Sequence, residues 1–302
     1  MARFPGGSHA NGNFAPCGRV APPLAAELDA LFAAIGRARP DIDLFRLERM
    51  SPELDGLANP LIALPHHPHP NVGLAVNLDG GFDGVMSRAS GKRKRKKHRA
   101  QARKFEALGP ISVKRAEGPE EIAGLLDIFF TIKGDRLKRL GVADVFADPK
   151  IRAFFKRLFA DARGGEFVVD HLAVAGKTRA ITGSSHCGDR LICEFSAIAD
   201  DDLTRASPGD YLFFENIAAA CGTGKSVYDF SVGDETYKRM WCDIETTYVD
   251  IHYPLGLMGA LLAGFFSLRS TLVRRLKSNR KLWSSLKRMR RRDSEPATTD
   301  ED

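Results

Sequence analysis

The sequence has few cysteines, and their spacing suits neither cross-links nor metal ligation. The five cysteines are an odd set without a C-x-x-C pair, so neither a disulfide framework nor a zinc site is indicated. The N-terminus, M-A-R-F-P-G-G-S-H, lacks an apolar core of signal-peptide length. With 43% apolar and 27% charged residues, the composition is that of a soluble globular protein. A reducing, cytoplasmic setting is therefore expected.

Acidic residues are missing from two long segments. Ten Lys or Arg and no acid lie between Arg88 and Lys104, and eleven and no acid between Arg269 and Arg292. These segments, and not the globular body, carry the net charge of +7. The first predicts a helix over 90–110 with a basic exposed face, for which CoA, tRNA (through 92–104) or an anionic membrane are candidate partners. No aromatic residue before Phe105 is interleaved for base stacking, and DNA is not an expected partner.

Proline and glycine mark two segments as irregular. Residues 1–23 are rich in Gly, Pro and Asn and are predicted to be poorly ordered. The run P-H-H-P-H-P contains His66, His67 and His69, but its prolines hold it extended and no Cys or carboxylate stands nearby in the sequence. A solvent-exposed loop is predicted there, and no metal is expected.

The C-terminal tail changes character after Pro254. L-G-L-M-G-A-L-L-A-G-F-F-S-L is fourteen apolar or small residues, too short to span a bilayer without help. The following basic segment has leucines at helical spacing opposite its basic side. Residues 255–292 are therefore expected either to lie on an anionic membrane, which would make the protein peripheral on its inner face, or to pack back on the domain. The acidic end, 293–302, is predicted to be disordered.

The body of the chain shows a regular order of elements. An amphipathic helix is predicted over Leu24–Ile35, and weaker strands at Asp43–Leu47 and Val72–Leu78. A strand, two helices, a three-strand meander, a helix and a strand then follow: Ile111–Ala116, Glu120–Leu140, Ile151–Ala162, Phe167–Ala175, Thr178–Cys187, Arg190–Ala199, a helix from Pro208, and Ser226–Ser231. Gly176-Lys177 and Gly188-Asp189 are the two-residue turns of antiparallel hairpins.

The stretch from Ser207 to Trp241 contains the most informative anomaly. A helix begins at Pro208. The strand predicted after it, S-V-Y-D-F-S, contains Asp229 between apolar residues. A carboxylate there is costly to bury unless it is paired, although an alternate position of the strand could face solvent. Tyr237, Lys238 and Trp241 follow on a new helix and can share a face.

Two segments carry a family resemblance. R-A-S-P-G-D-Y-L-F-F-E-N-I and Y-D-F-S-V-G-D-E-T-Y-K-R-M-W resemble the signature of CelD/BcsL-like acetyltransferases of the GNAT superfamily, relatives of the Fem-type transferases. The resemblance covers Ser90–Tyr253. It implies a GNAT-like α/β fold, with a mixed, mostly antiparallel sheet flanked by helices and a partial second GNAT-like half at the N-terminus. The expected divisions are a disordered 1–23, the partial half 24–89, the basic helix 90–110, the acyltransferase domain 111–253, and the tails 254–292 and 293–302.

The resemblance also implies where an acyl-CoA would bind. GNAT enzymes hold it where the fourth and fifth strands splay, with its pyrophosphate on the start of the following helix. Here the fourth strand is Ile192–Ile198. A helix start favours an anion, and Gly209 would let the main chain approach it, although Asp210 would oppose its charge. The candidate donor-binding residues are Arg205, Ser207, Pro208, Gly209, Asp210 and Tyr211.

Acyl transfer requires a base for the acceptor and donors for the developing oxyanion. Asp229, Glu194 and His186 lie on neighbouring predicted strands and are expected to converge, although His186 alone could be structural. Tyr237, Lys238 or Tyr211 could serve as donor or acid. The family motif includes Asp229 and Lys238, which makes these the preferred pair.

Three hypotheses follow. The first is a GNAT-fold N- or O-acyltransferase that moves an acetyl or acyl group from acyl-CoA to an amine or hydroxyl of a polysaccharide or cell-envelope precursor. The second is a Fem-like transferase that takes an aminoacyl group from tRNA. The third is a non-enzymatic, membrane-associated module. The sequence specifies neither the acceptor nor the acyl chain length.

Overall fold

The computed structural model describes residues 1–15, 23–88, 90–161 and 165–278. The chain divides into two units. Unit 1 contains Met1–Leu74, Ser231–Glu235 and the segment from Ile244, and unit 2 contains Ala75–Phe230 and Thr236–Asp243. This division differs from the expected one, since residues 75–89 fall in unit 2 and 244–253 in unit 1.

Helices and strands follow the order that the sequence predicts from Ile111 onward. The α-helices of the described residues are α1 (Ala25–Ala38), α2 (Gly81–Arg88), α3 (Gly91–Glu106), α4 (Gly118–Arg139), α5 (Pro149–Ala160), α6 (Pro208–Cys221), α7 (Thr236–Arg239) and α8 (Leu257–Ser278). The strands are β1 (Leu44–Met50), β2 (Glu53–Leu54), β3 (Leu57–Ala58), β4 (His67–Asn77), β5 (Ile111–Arg115), β6 (Phe167–Val174), β7 (Lys177–Cys187), β8 (Arg190–Ile198), β9 (Val227–Val232) and β10 (Ile244–Pro254).

Unit 2 is built on a sheet with the strand order β5-β6-β7-β8-β9. Strands β5 to β8 pair antiparallel, whereas β8 and β9 run parallel. The β6–β7 turn places Ala175 and Gly176 at φ 52° and 74°, as a two-residue hairpin turn of type I′ requires. The predicted meander is confirmed, with its first turn at Ala175-Gly176, one residue earlier than predicted.

Helices cover both faces of this sheet. Val168 packs with α6, and its neighbour Val169 packs with α4 and α5, because successive side chains of a strand point to opposite faces. The α4/α5 face is rich in phenylalanine, including the fully buried Phe129 and Phe130. The expected GNAT-like class, a mostly antiparallel sheet flanked by helices, is confirmed.

Unit 1 combines the N-terminal region with the end of the chain. β1 and β10 pair antiparallel, and β4 lies beside β10. The predicted amphipathic helix is present as α1, and it places Leu28 and Phe32 in a core with Phe45. The rings of Phe32 and Phe45 have their centroids 4.6 Å apart.

The structure corrects the expectation of disorder for residues 1–15. The Ala2 N–H donates to the carbonyl of Leu44, and the Asn13 N–H to that of Arg49, both at 2.8 Å. These bonds hold the N-terminal segment along β1. The rest of the predicted disordered region, residues 16–22, lies outside the described residues.

The apolar tail and the first basic residues form one helix, α8. Its Leu257–Lys277 portion is long and apolar enough to cross a membrane, judged by length and composition alone. The apolar run is therefore part of a longer helix than the sequence suggested. The helix packs on β10 and β1. The basic residues beyond 278 and the acidic end, 293–302, lie outside the described residues.

Candidate active site

The parallel pairing of β8 and β9 is short. It has three residue pairs, and the last joins Ile192 to Asp229. Since β8 continues to Ile198 and β9 to Val232, the two strands part at Asp229. Strands that part in this way leave main-chain N–H and C=O groups with which an extended ligand can pair.

β8 also carries a β-bulge at this level. Ser184 of β7 pairs with Cys193, but Gly183 pairs with Phe195, so Glu194 is the extra residue. The bulge reverses the alternation of side chains, because Cys193 packs on the α6 face and Phe195 on the α4/α5 face. Bulges recur beside active sites, where they re-aim side chains.

Asp229 points away from α6. Its neighbours Tyr228 and Phe230 belong to the core that packs on α6, so the side chain between them faces the other way. The carboxylate Oδ2 lies 3.8 Å from Nη1 of Arg190, and both side chains are partly exposed. Asp229 therefore faces away from the α6 core and has a cationic neighbour. Its charge is not buried alone, and the free-energy cost of such burial does not arise.

Glu194 reaches the same face as Asp229. Ser185, Ile192 and Asp229 are paired side by side across β7, β8 and β9, and directly opposed residues share a face. The Ser185 hydroxyl donates to Glu194 Oε1 at 2.5 Å. The two candidate carboxylates are thus brought to one face of the sheet.

His186 does not join these carboxylates. It pairs with Leu191, whose side chain packs in the α6 cluster, so His186 lies on the opposite face from Asp229. Burial lowers the pKa of His186, and the charges of Lys225 and Arg115 lower it further. Of the three residues expected to converge, Asp229 and Glu194 share a face and His186 does not.

Lys238 is buried on α7. Its charge and that of Asp229 both act on the same two thiols, Cys193 and Cys242. Burial raises the pKa of each thiol to about 12, although Lys238 works in the opposite direction. Protonated thiols are poor nucleophiles, so this arrangement favours direct attack of an acceptor on the donor over a cysteine-bound intermediate.

Tyr237 is held by aromatic packing. Its ring stacks on Phe213 with centroids 5.4 Å apart, and it meets Phe230 edge-on at 6.1 Å. Such packing fixes the direction of the ring and hence the place of the hydroxyl.

The predicted donor loop lies between β8 and α6. Thr204–Ala206 forms a short 3-10 turn, and Ser207 then adopts a left-handed conformation with φ 58° and ψ 61°. The N–H groups of Ala206 and Ser207 donate to the carbonyls of Leu203 and Thr204, at 2.9 and 3.0 Å, so the turn is closed by its own hydrogen bonds. Pro208 is the first residue of α6, where its missing N–H costs nothing, and Arg205 is exposed beside it.

The charge of Asp210 in this loop is compensated by α3. Lys97 Nζ lies 2.8 Å from the Asp210 carboxylate. From the next turn of α3, Gln101 Nε2 donates to the carbonyls of Ala206 and Ser207, at 2.8 and 3.0 Å. The basic helix therefore fixes the loop and neutralises the acid that would repel a phosphate.

Gly209 and Tyr211 have packing roles. A Cβ on Gly209 would overlap the side chain of Ile198, so glycine lets α6 approach the end of β8. Tyr211, on α6, is buried against α3. Its ring stacks on that of His98 with centroids 4.2 Å apart and meets the Phe105 ring edge-on at 5.3 Å. Burial raises the pKa of Tyr211. The packing accounts for both residues without a contact to a ligand.

The histidine run is not the predicted loop. β4 begins at His67, His69 Nδ1 lies 2.9 Å from the buried Asp250 carboxylate, and the rings of His67 and His252 are 4.8 Å apart. The carboxylate partner of His69 comes from far along the chain and could not be seen in the sequence. In the part of the chain that the structure describes, no group of three or more His, Cys, Asp or Glu could hold a metal ion.

Sequence reasoning missed several residues of this site. Arg190 and Ser185 are singled out only by the strand register. Gln101 lies in a run of Lys and Arg. Its uncharged amide is the one feature of the sequence that could have marked it. Gly183 has no room for a side chain because the Phe195 ring lies over it.

A family model described as "Acetyltransferase (GNAT) domain" matches residues 92–239, just under half of the 302-residue chain. The match runs from α3 to α7 and includes the parting strands, the bulge and the donor loop. This segment is a GNAT acetyltransferase domain. The protein is accordingly an acyltransferase enzyme, and its GNAT domain implies an acyl-CoA co-substrate and an acceptor.

Solved structures show the same fold at low identity. A structure described as FemX is 12% identical, with a TM-score of 0.54, and 76% of each chain is covered. The C-terminal domain of a putative lysylphosphatidylglycerol synthetase from Agrobacterium fabrum is 13% identical, with a TM-score of 0.51, covering 74% of this chain and 71% of that one. No curated protein sequence matches the chain. The CelD/BcsL assignment stays a prediction.

Proposed function

We propose that the GNAT domain transfers an acyl group from acyl-CoA to an amine or hydroxyl of a polysaccharide or another cell-envelope precursor. The parting of β8 and β9 at Ile192 and Asp229 carries the proposal. In it, the pantetheine amides pair with the freed edge of β8, and the pyrophosphate lies at the start of α6, near Arg205 and the main chain of Gly209. Two proteins that share the fold, FemX and the putative lysylphosphatidylglycerol synthetase, support an envelope acceptor.

The proposed chemistry is a direct transfer. Asp229 accepts the proton of the acceptor amine or hydroxyl, whose nitrogen or oxygen attacks the thioester carbonyl. Lys238 supplies a donor for the oxyanion and a proton for the departing sulfur, whereas Tyr237 packs on the α6 side of the sheet, opposite Asp229. The C–S bond then breaks, and the products are the acylated acceptor and CoA with a free thiol. Glu194 is the alternative base, because it lies on the same face.

The donor is tested by calorimetric titration of the folded protein with acetyl-CoA and CoA. Micromolar binding is expected, and Arg205→Glu should weaken it about tenfold through repulsion of the phosphates. Arg37→Glu, at an exposed position of α1, is the matched control and should bind as the unmodified protein does. Gly209→Val is unsuitable, because it would disturb α6 packing whether or not CoA binds there.

A second candidate is transfer of an aminoacyl group from tRNA. The observation that favours it is the outer face of α3, where Lys92, Arg93, Lys96, Arg99 and Arg103 are exposed or half-exposed. The absence of acyl-CoA binding, together with tRNA binding that weakens steeply with salt and is lost on charge reversal in α3, would replace the first proposal by this one.

A further inference from the structure

Five large apolar side chains of α8 point away from the protein. Leu257, Leu261, Phe265, Leu268 and Leu272 are 89, 71, 61, 61 and 51% exposed. Their three- and four-residue spacing places them along one side of the helix, the α8 stripe. A surface helix in water normally turns such a stripe inward. A continuous patch of this kind marks an interaction surface, unlike a single exposed leucine.

The inner side of α8 packs on unit 1 through Phe266, whose ring lies 5.7 Å from that of His252, and through small and polar residues. Gly259 has no room for a Cβ because the Asp43 carbonyl lies against it. Ser267 Oγ is 3.0 Å from Nδ1 of His252 on β10. These contacts fix the rotation of the helix on unit 1. The outward direction of the α8 stripe is therefore a property of the packed helix, since turning it inward would break them.

The charged residues of α8 itself are all cationic. Arg269, Arg274 and Arg275 are exposed on α8, and the sequence 269–292 has eleven Lys or Arg and no acid. An anionic lipid surface would neutralise these cations while covering the stripe. Pairing of two copies through the stripe would instead bring two cationic segments to one interface.

We propose that α8 lies flat in the surface of an anionic lipid bilayer, with the α8 stripe inserted among the acyl chains and its arginines at the level of the headgroups. The inner side of the helix stays on β10 and β1. This surface is independent of the proposed acyl donor, and it would hold the enzyme beside lipid-linked or membrane-bound acceptors.

The test is co-sedimentation of the full chain with vesicles of phosphatidylcholine, with and without phosphatidylglycerol. Binding is expected only when phosphatidylglycerol is present and should weaken with salt. The double variant Leu261→Ser/Phe265→Ser should lose about tenfold or more in partitioning, since two large apolar side chains no longer insert. Phe154→Ser, at an equally exposed phenylalanine of α5 (58%), is the matched control and should partition as the unmodified protein does.

Either of two results would overturn the proposal. One is equal partitioning of the double variant and the Phe154→Ser control. The other is no binding of the unmodified protein to anionic vesicles, and a dimer in sedimentation velocity that the double variant makes monomeric would then assign the stripe to a second copy. Circular dichroism checks the fold of each variant. Titration with acetyl-CoA separates a failure here from a failure of the proposed function.

Discussion

Replacement of Asp229 by asparagine tests the centre of the proposed mechanism. The asparagine amide is not a base and has no charge, but it keeps the shape of the side chain at the end of the β8–β9 ladder. Loss of a positioned general base lowers the rate by about 10²–10⁴-fold. We therefore expect kcat/KM of Asp229→Asn to fall by this factor, which corresponds to about 3–5 kcal/mol in the barrier.

The structure predicts only a small effect of the same change on stability. The Arg190 Nη1 to Asp229 Oδ2 distance is 3.8 Å, and both side chains are partly exposed. An ion pair of this kind contributes about 1 kcal/mol or less. Urea unfolding of Asp229→Asn should therefore stay close to that of the unmodified protein. A large loss of activity could then be attributed to the chemistry.

The assay is release of the CoA thiol with an acceptor from a screen, over a range of pH. The unmodified enzyme should lose activity on the acid side as the base becomes protonated, and Asp229→Asn should lack this limb. Glu194→Gln is the matched control, because Glu194 lies on the same face. If Asp229→Asn keeps its activity and Glu194→Gln loses it, Glu194 is the base. Full activity in both variants would refute a carboxylate base on this face.

Two further predictions concern stability. Phe105 is fully buried between α3 and α6, so Phe105→Ala should lower the free energy of unfolding by about 3–5 kcal/mol, whereas Phe154→Ala at an exposed site should change it by less than about 0.5 kcal/mol; urea titration measures both. Burial, with a smaller effect of His67, lowers the pKa of His252 from 6.5 to about 4. Between these values the unfolded chain binds a proton that the folded protein does not, so stability should fall as pH falls through this window. His252→Gln should flatten the slope in urea unfolding at graded pH, and an unchanged slope would contradict the assignment.

The elements that the sequence predicted well are set by local signals. The helix from Pro208 has its proline at the first position and ends before Gly222, and the β6–β8 meander is defined by glycine turns and β-branched runs. Each of these signals acts within a few residues. The predicted bounds therefore lie within one or two residues of those in the structure.

The features that the sequence could not supply depend on distant pairing. The position of His186 on the face opposite Asp229 follows from the strand register, and the placement of Glu194 follows from the bulge; neither leaves a mark in the periodicity. His69 was interpreted as part of an exposed loop because its partner, Asp250, is 181 residues away. α8 was missed as one continuous helix because its outward face is apolar, against the usual pattern for a helix in water.

The contacts of α3 bear on which donor the enzyme uses. Its inner face contributes Lys97 to Asp210 and Gln101 to the carbonyls of Ala206 and Ser207, so part of the basic helix serves to build the loop at the start of α6. A helix that bound tRNA through its outer cations alone would not require contacts with this loop. The neutralised Asp210 also removes the main objection to a phosphate there. Both arguments favour a small phosphate-bearing donor such as acyl-CoA at the loop, and leave the outer face of α3 as a separate surface.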